Sequence, residues 1–323
     1  MKSLDVGIEI RATLRLLLEE AVKRNLADGI LLSGGLDTSI LATTASKFVS
    51  LKAFTVALQG APAPDVEYAT LMANNLRLGH IIHYFGRSEL YDAIHRVVEL
   101  MGSFAPMEVR NSVTIYIGLK RAKEEGLNTI MTGDGCDELF AGYSFLFDLE
   151  KERLDSRLRK LWSVMSFSSV RLARALGVEA KLPYLDPDLM SFATGLDSRY
   201  KIRDERGRRW GKWVLRKAFE GILPEAIVWR VKTPIEAGSG TIILPSLFSR
   251  EIPDVEFEEK RIEYLEKDKV AIRDKEQLFY YEVYRAALGV PHPIDLKGKL
   301  CPQCNSNVAE GATYCRTCGA YPI

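Results

Sequence analysis

The first 132 residues alternate short apolar segments with amphipathic ones, and this alternation limits the possible fold more than any other feature of the sequence. Apolar runs predict strands at 30–32, 51–58, 81–85 and 128–132. The remaining segments have helical periodicity, at 8–24, 38–49, 65–78, 88–101 and 109–125. Strands separated by helices form parallel sheets with helices on both faces. We therefore predict an α/β fold, followed by a largely helical C-terminal part.

The turn after the first predicted strand has the composition of a phosphate-binding loop, SGGLDTS. Gly34 and Gly35 lack the Cβ atoms that would keep an oxyanion away from the backbone, and a helix N-terminus follows near Asp37. Asp37 offers an oxygen ligand for Mg²⁺. Three hydroxyl donors complete the rim: Ser33, Thr38 and Ser39. A plain turn between strand and helix is the alternative.

An acidic cluster follows the strand predicted at 128–132. It contains Asp134, Asp137 and Glu138 within five residues, and carboxylates so close together repel one another without a cation or a basic partner. A metal–phosphate site would supply one, and the position of Asp37 at another strand end favours that interpretation. The alternative is a helix start, where acidic residues favour the helix dipole. Cys136, within the cluster, is expected to be a small buried residue.

Four motifs, in the same order along the chain, resemble those of asparagine synthetases, a subfamily of the PP-loop ATP pyrophosphatases. SGGLDTS resembles SGGxDS, and GDGCDELFAGY resembles GEGxDExFGGY, with Asp134 where Glu is usual. VEAKLPYLD resembles VExRxPFLD, and its Asp186 also suits a helix N-cap. LPE at 223–225 and RVKTPIEAGSG at 230–240 resemble LPxxI and RxKxxxxxGxG. The GSG ending is closer to β-lactam synthetases. The resemblance covers about residues 8–290.

The resemblance implies that ATP is split between its α and β phosphates to adenylate a carboxylate, which ammonia or another amine then attacks. Lys232 would stabilise the adenylation transition state, and Asp134 would orient or deprotonate the amine. Asp37 and Asp137 would hold Mg²⁺. ATP and pyrophosphate would contact the glycine turn with its hydroxyl groups and four residues aligned with nucleotide contacts of the family: Leu31, Val56, Thr132 and Gly133.

Residues 199–232 are basic, with eleven Lys or Arg against four Asp or Glu. Pyrophosphate needs basic partners, so this segment is a candidate to contact it. A solvated basic surface is the alternative.

The last 23 residues contain four of the five cysteines, as C-x2-C pairs separated by ten residues. Cys301, Cys304, Cys315 and Cys318 have the spacing of a closed tetrahedral Zn²⁺ site. A tail this short with few apolar residues needs the metal in order to fold. A disulfide pair or an iron centre is the alternative. We therefore predict a zinc ribbon at 296–323, after a synthetase-like domain at 1–295.

Composition excludes several classes of protein. A net charge of +1 argues against a protein built wholly to bind nucleic acid or a membrane surface. No apolar run approaches the ~20 residues that span a bilayer, and no secretory signal is present, so we expect a cytoplasmic protein without a membrane partner. The chain begins Met1-Lys2-Ser3, without the N-terminal cysteine of glutaminase domains, so we expect it to use free ammonia or a separate glutaminase subunit.

Three functions remain open. The first is an ATP-dependent ligase, with aspartate and ammonia as the leading substrates. The second is a PP-loop enzyme that adenylates a nucleobase of RNA such as tRNA, with the ribbon bound to the RNA. Thiolating relatives commonly use extra catalytic cysteines, and the body has only Cys136, which disfavours thiolation but not amination. The third is a non-catalytic nucleotide-binding scaffold.

Overall fold

The computed structural model describes residues 2–323, with side chains from Gly7 onward. A five-stranded sheet has the strand order β3-β2-β1-β4-β5, and a separate hairpin consists of β6 and β7. The strands are Gly29–Leu31 (β1), Lys52–Leu58 (β2), Gly79–Phe85 (β3), Thr129–Met131 (β4), Glu179–Lys181 (β5), Arg203–Glu205 (β6) and Arg208–Trp210 (β7). β1 pairs in parallel with β2 and β4, and β4 pairs in parallel with β5.

Helices flank this sheet and make up most of the C-terminal half. They are Lys2–Arg24 (α1), Leu36–Ala45 (α2), Asp65–Leu76 (α3), Arg87–Met101 (α4), Pro106–Glu124 (α5), Cys136–Phe140 (α6), Lys151–Ser163 (α7), Ser168–Ala175 (α8), Pro187–Gly195 (α9), Trp213–Phe219 (α10), Glu225–Val228 (α11), Ile235–Ser239 (α12), Leu244–Glu251 (α13), Asp254–Lys267 (α14) and Lys275–Leu288 (α15). In residues 2–323, no helix is both long enough and apolar enough to cross a membrane. The predicted α/β fold with a helical C-terminal part is confirmed.

The strand order creates a crevice at one place in the sheet. The chain moves outward from β1 to β2 and β3, and then returns to the other side of β1 with β4. At such a switch point, loops leave the carboxyl ends of two adjacent strands in opposite directions, and ligands bind between them. Here those loops are the glycine turn after β1 and the acidic cluster after β4. The fold therefore brings together the two segments that the sequence singled out.

Two compact units make up the chain. Unit 1 comprises the residues up to Thr55, Pro64–His83 and Gly118–Pro234. Unit 2 comprises Val56–Ala63, Tyr84–Ile117 and Ile235–Ile323. The core of unit 1 is apolar and closely packed, with Ile30 of β1 and Met131 of β4 fully buried. The predicted boundary between 295 and 296 stays a prediction, and the cysteine-rich tail lies within unit 2.

Local chemistry accounts for the start of α9. Asp186 accepts a hydrogen bond from the backbone N–H of Asp188, with Pro187 in the first turn of α9, so the predicted N-cap is confirmed. Arg24 of α1 also holds this carboxylate through two hydrogen bonds of 2.7 and 2.6 Å. The sequence analysis did not predict β5 or the β6–β7 hairpin, because each strand has only three residues and most of these are charged.

Candidate functional site

The glycine turn after β1 has the conformation that its sequence requires. Gly34 has φ +65°, and a Cβ atom there would overlap the backbone of Tyr68 and Ala69 in α3, so only glycine fits. The backbone N–H of Gly35 donates to Ser33 Oγ at 3.2 Å, and Ser33 Oγ lies 3.2 Å from Thr38 Oγ1. No described side chain caps the N-terminus of α2. Its first-turn N–H groups therefore remain available to an anion.

Arg230 holds this turn from the outside. Its guanidinium donates to the Ser33 carbonyl at 2.9 Å and to Asp65 Oδ1 at 2.5 Å, and it lies 3.9 Å from the ring centroid of Tyr68. The residue is 8% exposed, so these contacts are shielded from solvent and from salt. Arg230 thus joins the turn to the start of α3, although the sequence analysis assigned it no role.

Two acidic residues 100 positions apart in sequence meet at one lysine. Lys212 Nζ lies 2.6 Å from Asp37 Oδ2 and 2.7 Å from Asp137 Oδ1. Lys232 Nζ contacts the other oxygen of Asp137, Oδ2, at 2.6 Å. The structure therefore brings together Asp37, Asp137 and Lys232, and it adds Lys212 between the two acids. We refer to these four residues as the carboxylate–lysine cluster.

The opposite charges of this cluster stabilise one another's ionised forms although most of the cluster is shielded from solvent. Burial alone would raise the pKa of Asp137, but the ammonium groups of Lys212 and Lys232 hold it well below its usual value. Burial alone would lower the pKa of Lys212, but Asp137 and Asp37 raise it well above its usual value. Side-chain exposure is 4% for Lys212 and 38% for Lys232. Lys232 is therefore the cation that a ligand could reach from solvent.

At two positions the backbone passes so close to this cluster that a side chain would collide with it or crowd it, and both positions are glycine. A Cβ atom on Gly142 would overlap Asp137 Oδ1 and Lys212 Cε, and one on Gly133 would lie 3.3 Å from Asp37 Cβ. Cys136 is fully buried, as expected, and its thiol donates to Asp37 Oδ1 at 3.1 Å. Both carboxylate oxygens of Asp37 therefore accept hydrogen bonds, one from a thiol and one from an ammonium group.

Asp134 lies next to the cluster but has different partners. Its Oδ2 accepts hydrogen bonds from Thr132 Oγ1, at 2.9 Å, and from Ser169 Oγ. Burial raises the pKa of Asp134, and the two hydroxyl groups act in the opposite direction. Glu138, four residues on, accepts a hydrogen bond from the Tyr143 hydroxyl at 2.6 Å. Asp134 is thus a carboxyl group with a raised pKa that two hydroxyl groups hold through one oxygen.

The other predicted nucleotide contacts have varied surroundings. Leu31 is the last residue of β1 and is partly exposed, whereas Thr132 is 5% exposed. Val56 lies on β2 and is 9% exposed. Ser39, which was expected at the rim of the turn, is fully buried, and its hydroxyl has no hydrogen-bond partner among the described residues. The roles of these residues stay predictions.

Most of the basic segment at 199–232 has neighbours other than this site. Arg209 pairs with Asp204 at 3.0 Å, and Lys217 pairs with Glu205 at 3.2 Å, both near the surface. Lys212, Arg230 and Lys232 are the members that reach the turn or the acids. Lys212 has a left-handed backbone conformation, with φ +54°, and it follows a glycine at position 211. The direction of its side chain therefore depends on tertiary packing. Sequence patterns carry no signal that separates it from the other lysines.

Within unit 2, the four predicted zinc ligands form a single cluster. Their sulfur atoms all lie within 4.8 Å of one another, and all four residues are fully buried. Each C-x2-C pair folds in the same way: Cys301 N–H donates to the Ser306 carbonyl at 2.9 Å, and Cys315 N–H donates to the Ala320 carbonyl at 3.0 Å. The residue after each pair, Asn305 or Gly319, has a positive φ.

The sulfur separations fit a metal better than disulfides. Cys301 Sγ lies 3.6 Å from Cys318 Sγ, and Cys304 Sγ lies 3.7 Å from Cys315 Sγ. A disulfide requires about 2.05 Å. Four sulfurs placed tetrahedrally at about 2.3 Å from Zn²⁺ are about 3.8 Å apart. The donor set and its spacing therefore fit a structural zinc ion.

The second C-x2-C pair is bonded to the body of unit 2. The Cys318 carbonyl accepts hydrogen bonds from Arg273 Nη2 at 2.8 Å and from Gln277 Nε2 at 2.7 Å. The Thr317 carbonyl accepts one from Phe104 N–H at 2.7 Å. This cysteine cluster is therefore integrated into the surrounding helices, through backbone groups that a freely mobile tail would leave to solvent.

A protein-family model matches most of this chain. The Asparagine synthase family model matches residues 13–168 and 157–288. Asparagine synthetase B (glutamine-hydrolyzing) of Escherichia coli strain K12 is 28% identical over 305 residues, which cover 86% of this chain and 54% of that protein. Asparagine synthetase (glutamine-hydrolyzing) of Zea mays is 31% identical over 251 residues, which cover 70% of this chain and 42% of that protein. The chain spans about half the length of the curated relatives it matches.

Among solved structures, the NH3-dependent NAD synthetase from Campylobacter jejuni is 15% identical to this chain. The match covers 68% of this chain and 97% of that chain, with a TM-score of 0.29. A TM-score this low adds nothing to the description of the fold.

Proposed function

Because this chain belongs to the asparagine synthase family, we propose that it is an ATP-dependent ligase that adenylates a carboxylate and converts it to an amide with ammonia or another amine. The observation that carries this proposal is the carboxylate–lysine cluster beside the uncapped N-terminus of α2. Phosphate groups require donors and cations, and a magnesium ion requires carboxylate oxygens. The switch point of the sheet offers both.

In the first step of the proposed reaction, a carboxylate oxygen of the substrate attacks the α-phosphorus of ATP. The bond to the β-phosphate oxygen breaks, and pyrophosphate leaves with that electron pair. Ser33, Gly34, Gly35, Thr38 and the first turn of α2 bind the departing phosphates, and Lys232 offsets the charge that develops. The turn works because Arg230 and α3 fix its shape before ATP arrives.

The same cluster has the ligands for a magnesium ion. Asp37 and Asp137 are the residues that would hold it, since their oxygens already share one cation, Lys212. When bound, Mg²⁺ would offset negative charge on the phosphates. If Mg²⁺ took these oxygens, Lys212 would be a second lysine near enough to offset phosphate charge.

In the second step, the nitrogen lone pair attacks the acyl carbon, and AMP leaves with the electrons of the acyl–oxygen bond. The nitrogen loses a proton as the amide forms, and Asp134 is the group that accepts it. We propose aspartate as the carboxylate and ammonia as the nitrogen source, supplied free or by a separate glutaminase subunit. Leu31, Val56, Thr132 and Gly133 would contact adenine and ribose. The cytoplasmic location stays a prediction.

One experiment separates this function from action on RNA. The full chain is supplied with ATP, Mg²⁺ and ammonia, and pyrophosphate release is followed with aspartate, with other amino acids, or with bulk tRNA. We expect release to depend on an amino acid and to yield its amide. Stimulation by tRNA alone would instead favour adenylation of a nucleobase. ATP binding without pyrophosphate release under any of these conditions would favour a scaffold.

A further inference from the structure

Asp134 is held by two hydroxyl groups that come from different parts of the chain. Thr132 directly follows β4, and Ser169 lies in the first turn of α8. Both donate to the same carboxylate oxygen, Oδ2, so Oδ1 is free of these two donors. Exposure is 5% for Thr132 and 1% for Ser169, so both residues are shielded from solvent.

The hydroxyl of Ser169 does not cap its own helix. A serine that caps a helix occupies the N-cap position. In α8 the N-cap position is Phe167, and no described side chain caps the helix. The buried hydroxyl of Ser169 crosses to Asp134 instead. Its hydrogen bond therefore stabilises the acidic residue rather than its own helix.

The surroundings of Asp134 are otherwise unfavourable to a carboxylate. Burial and the negative charge of Asp137 both disfavour ionisation, and Lys232 favours it. The charge of Asp134 in turn helps to raise the pKa of Glu138 and of Tyr143. Two fixed hydroxyl donors on Oδ2 stabilise the ionised form and fix the plane of the group. The other oxygen, Oδ1, then has a defined direction.

We propose that Ser169, assisted by Thr132, is the positioning residue of Asp134, which it aligns so that Oδ1 receives the proton of the attacking amine. This proposal rests on the proposed function, because it needs an amine step. Ser169 itself touches neither ATP nor the carboxylate substrate in this scheme. Its loss should therefore affect amide formation and leave adenylation intact.

The test separates the two half-reactions in the full chain. Adenylation is measured as aspartate-dependent ATP–pyrophosphate exchange, and amide formation is measured with ammonia. For Ser169→Ala we expect exchange at the wild-type rate and amide formation reduced by about 10- to 100-fold, the effect of losing one hydrogen bond to a charged group. The loss should appear in kcat for ammonia rather than in KM for ATP. Ser169→Thr, which keeps the hydroxyl, should restore most of the rate.

Ser168→Ala is the matched control, since it removes a hydroxyl from the preceding residue of the same helix. It should leave both half-reactions unchanged. Equal amide formation in Ser169→Ala and wild type would overturn the proposal. Parallel loss of exchange and amide formation would also overturn it, because that result indicates general damage to the site.

An infrared measurement tests the contact without any substrate. The carboxylate band of Asp134 is assigned by difference from Asp134→Asn. We expect Ser169→Ala to shift this band and Ser168→Ala to leave it in place, and an unshifted band in Ser169→Ala would end the proposal. If wild-type protein shows no exchange with any carboxylate, the proposed function fails, and the infrared result still decides whether Ser169 holds Asp134.

Discussion

The carboxylate–lysine cluster of unit 1 and the cysteine cluster of unit 2 are both candidate metal sites, and they differ in what balances their charge. In the first, Lys212 and Lys232 already pair with the two acids. In the second, four buried sulfurs lie within 4.8 Å of one another, and thiolates at this spacing need a metal cation. We therefore expect the first site to be stable without metal and the second to depend on it.

Removal of Lys232 should have the largest effect on activity. In Lys232→Ala, Asp137 keeps Lys212 as its partner, so the site should remain folded and ATP should bind nearly as before. Pyrophosphate release should fall by about 10²- to 10³-fold, because a charge that stabilises the transition state is gone. Lys151→Ala, at an exposed lysine paired with Asp155, is the control. A fully active Lys232→Ala would remove this lysine from the mechanism.

Removal of one cysteine should abolish metal binding in unit 2. We expect wild-type protein to carry about one zinc ion per chain, as a four-thiolate site does, and Cys301→Ser to carry none. The tail should then be cut readily by trypsin at Lys297 or Lys299, because metal binding and folding are coupled. Cys136→Ser is the matched control, with zinc retained. Zinc-free wild-type protein with an intact tail would contradict the dependence on metal.

A methyl group at Gly142 should strain the cluster of unit 1 without removing any charge. In Gly142→Ala the new Cβ would overlap Asp137 Oδ1 and Lys212 Cε. We expect the free energy of unfolding to fall by about 1–3 kcal/mol, a typical cost of overpacking, as measured by urea denaturation. In Gly195→Ala the new Cβ has no neighbour within 4 Å, so this variant should be close to wild type. Equal unfolding free energies for Gly142→Ala and wild type would show that the cluster rearranges to accept the methyl group at little cost.

The smallest expected effect, and the most specific to one residue, concerns the charge of Lys201. Unlike Lys212, it is buried against two carbonyls, those of Leu139 at 2.8 Å and Ala193 at 2.5 Å. Burial lowers the pKa of Lys201 to about 7, from 10.5. Above pH 7 the unfolded chain therefore binds more protons at this residue, so the free energy of unfolding should rise with pH until about 10.

The substitution Lys201→Met isolates this contribution from other titrating groups. We expect the difference in unfolding free energy between wild type and Lys201→Met to change between pH 7 and 10, with wild type gaining as pH rises. Below pH 7 the difference should be constant, because lysine is charged in both states. A difference that does not vary with pH would show that the two carbonyls keep Lys201 charged in the folded protein.

Sequence patterns predicted the fold and the meeting of Asp37 with Asp137 for one reason. Both residues follow strands, and the carboxyl ends of parallel strands share an edge of the sheet. The cysteine cluster was also predictable, since its four ligands lie close together in sequence. Lys212 and Arg230 lie in the basic segment 199–232 that was proposed to contact pyrophosphate, but neither was singled out, because a side chain that reaches a site from a distant helix or loop leaves no periodic signal. Ser169 was missed for the same reason.

The two acids and two lysines of the unit 1 cluster leave it electrically neutral. A lone divalent ion would have to displace an ammonium group already held by both acids, and it would leave surplus positive charge behind. A polyphosphate that arrives with its own metal supplies the compensating negative charge and a new partner for the displaced lysine. Nucleotide and metal are therefore expected to bind together more readily than either binds alone.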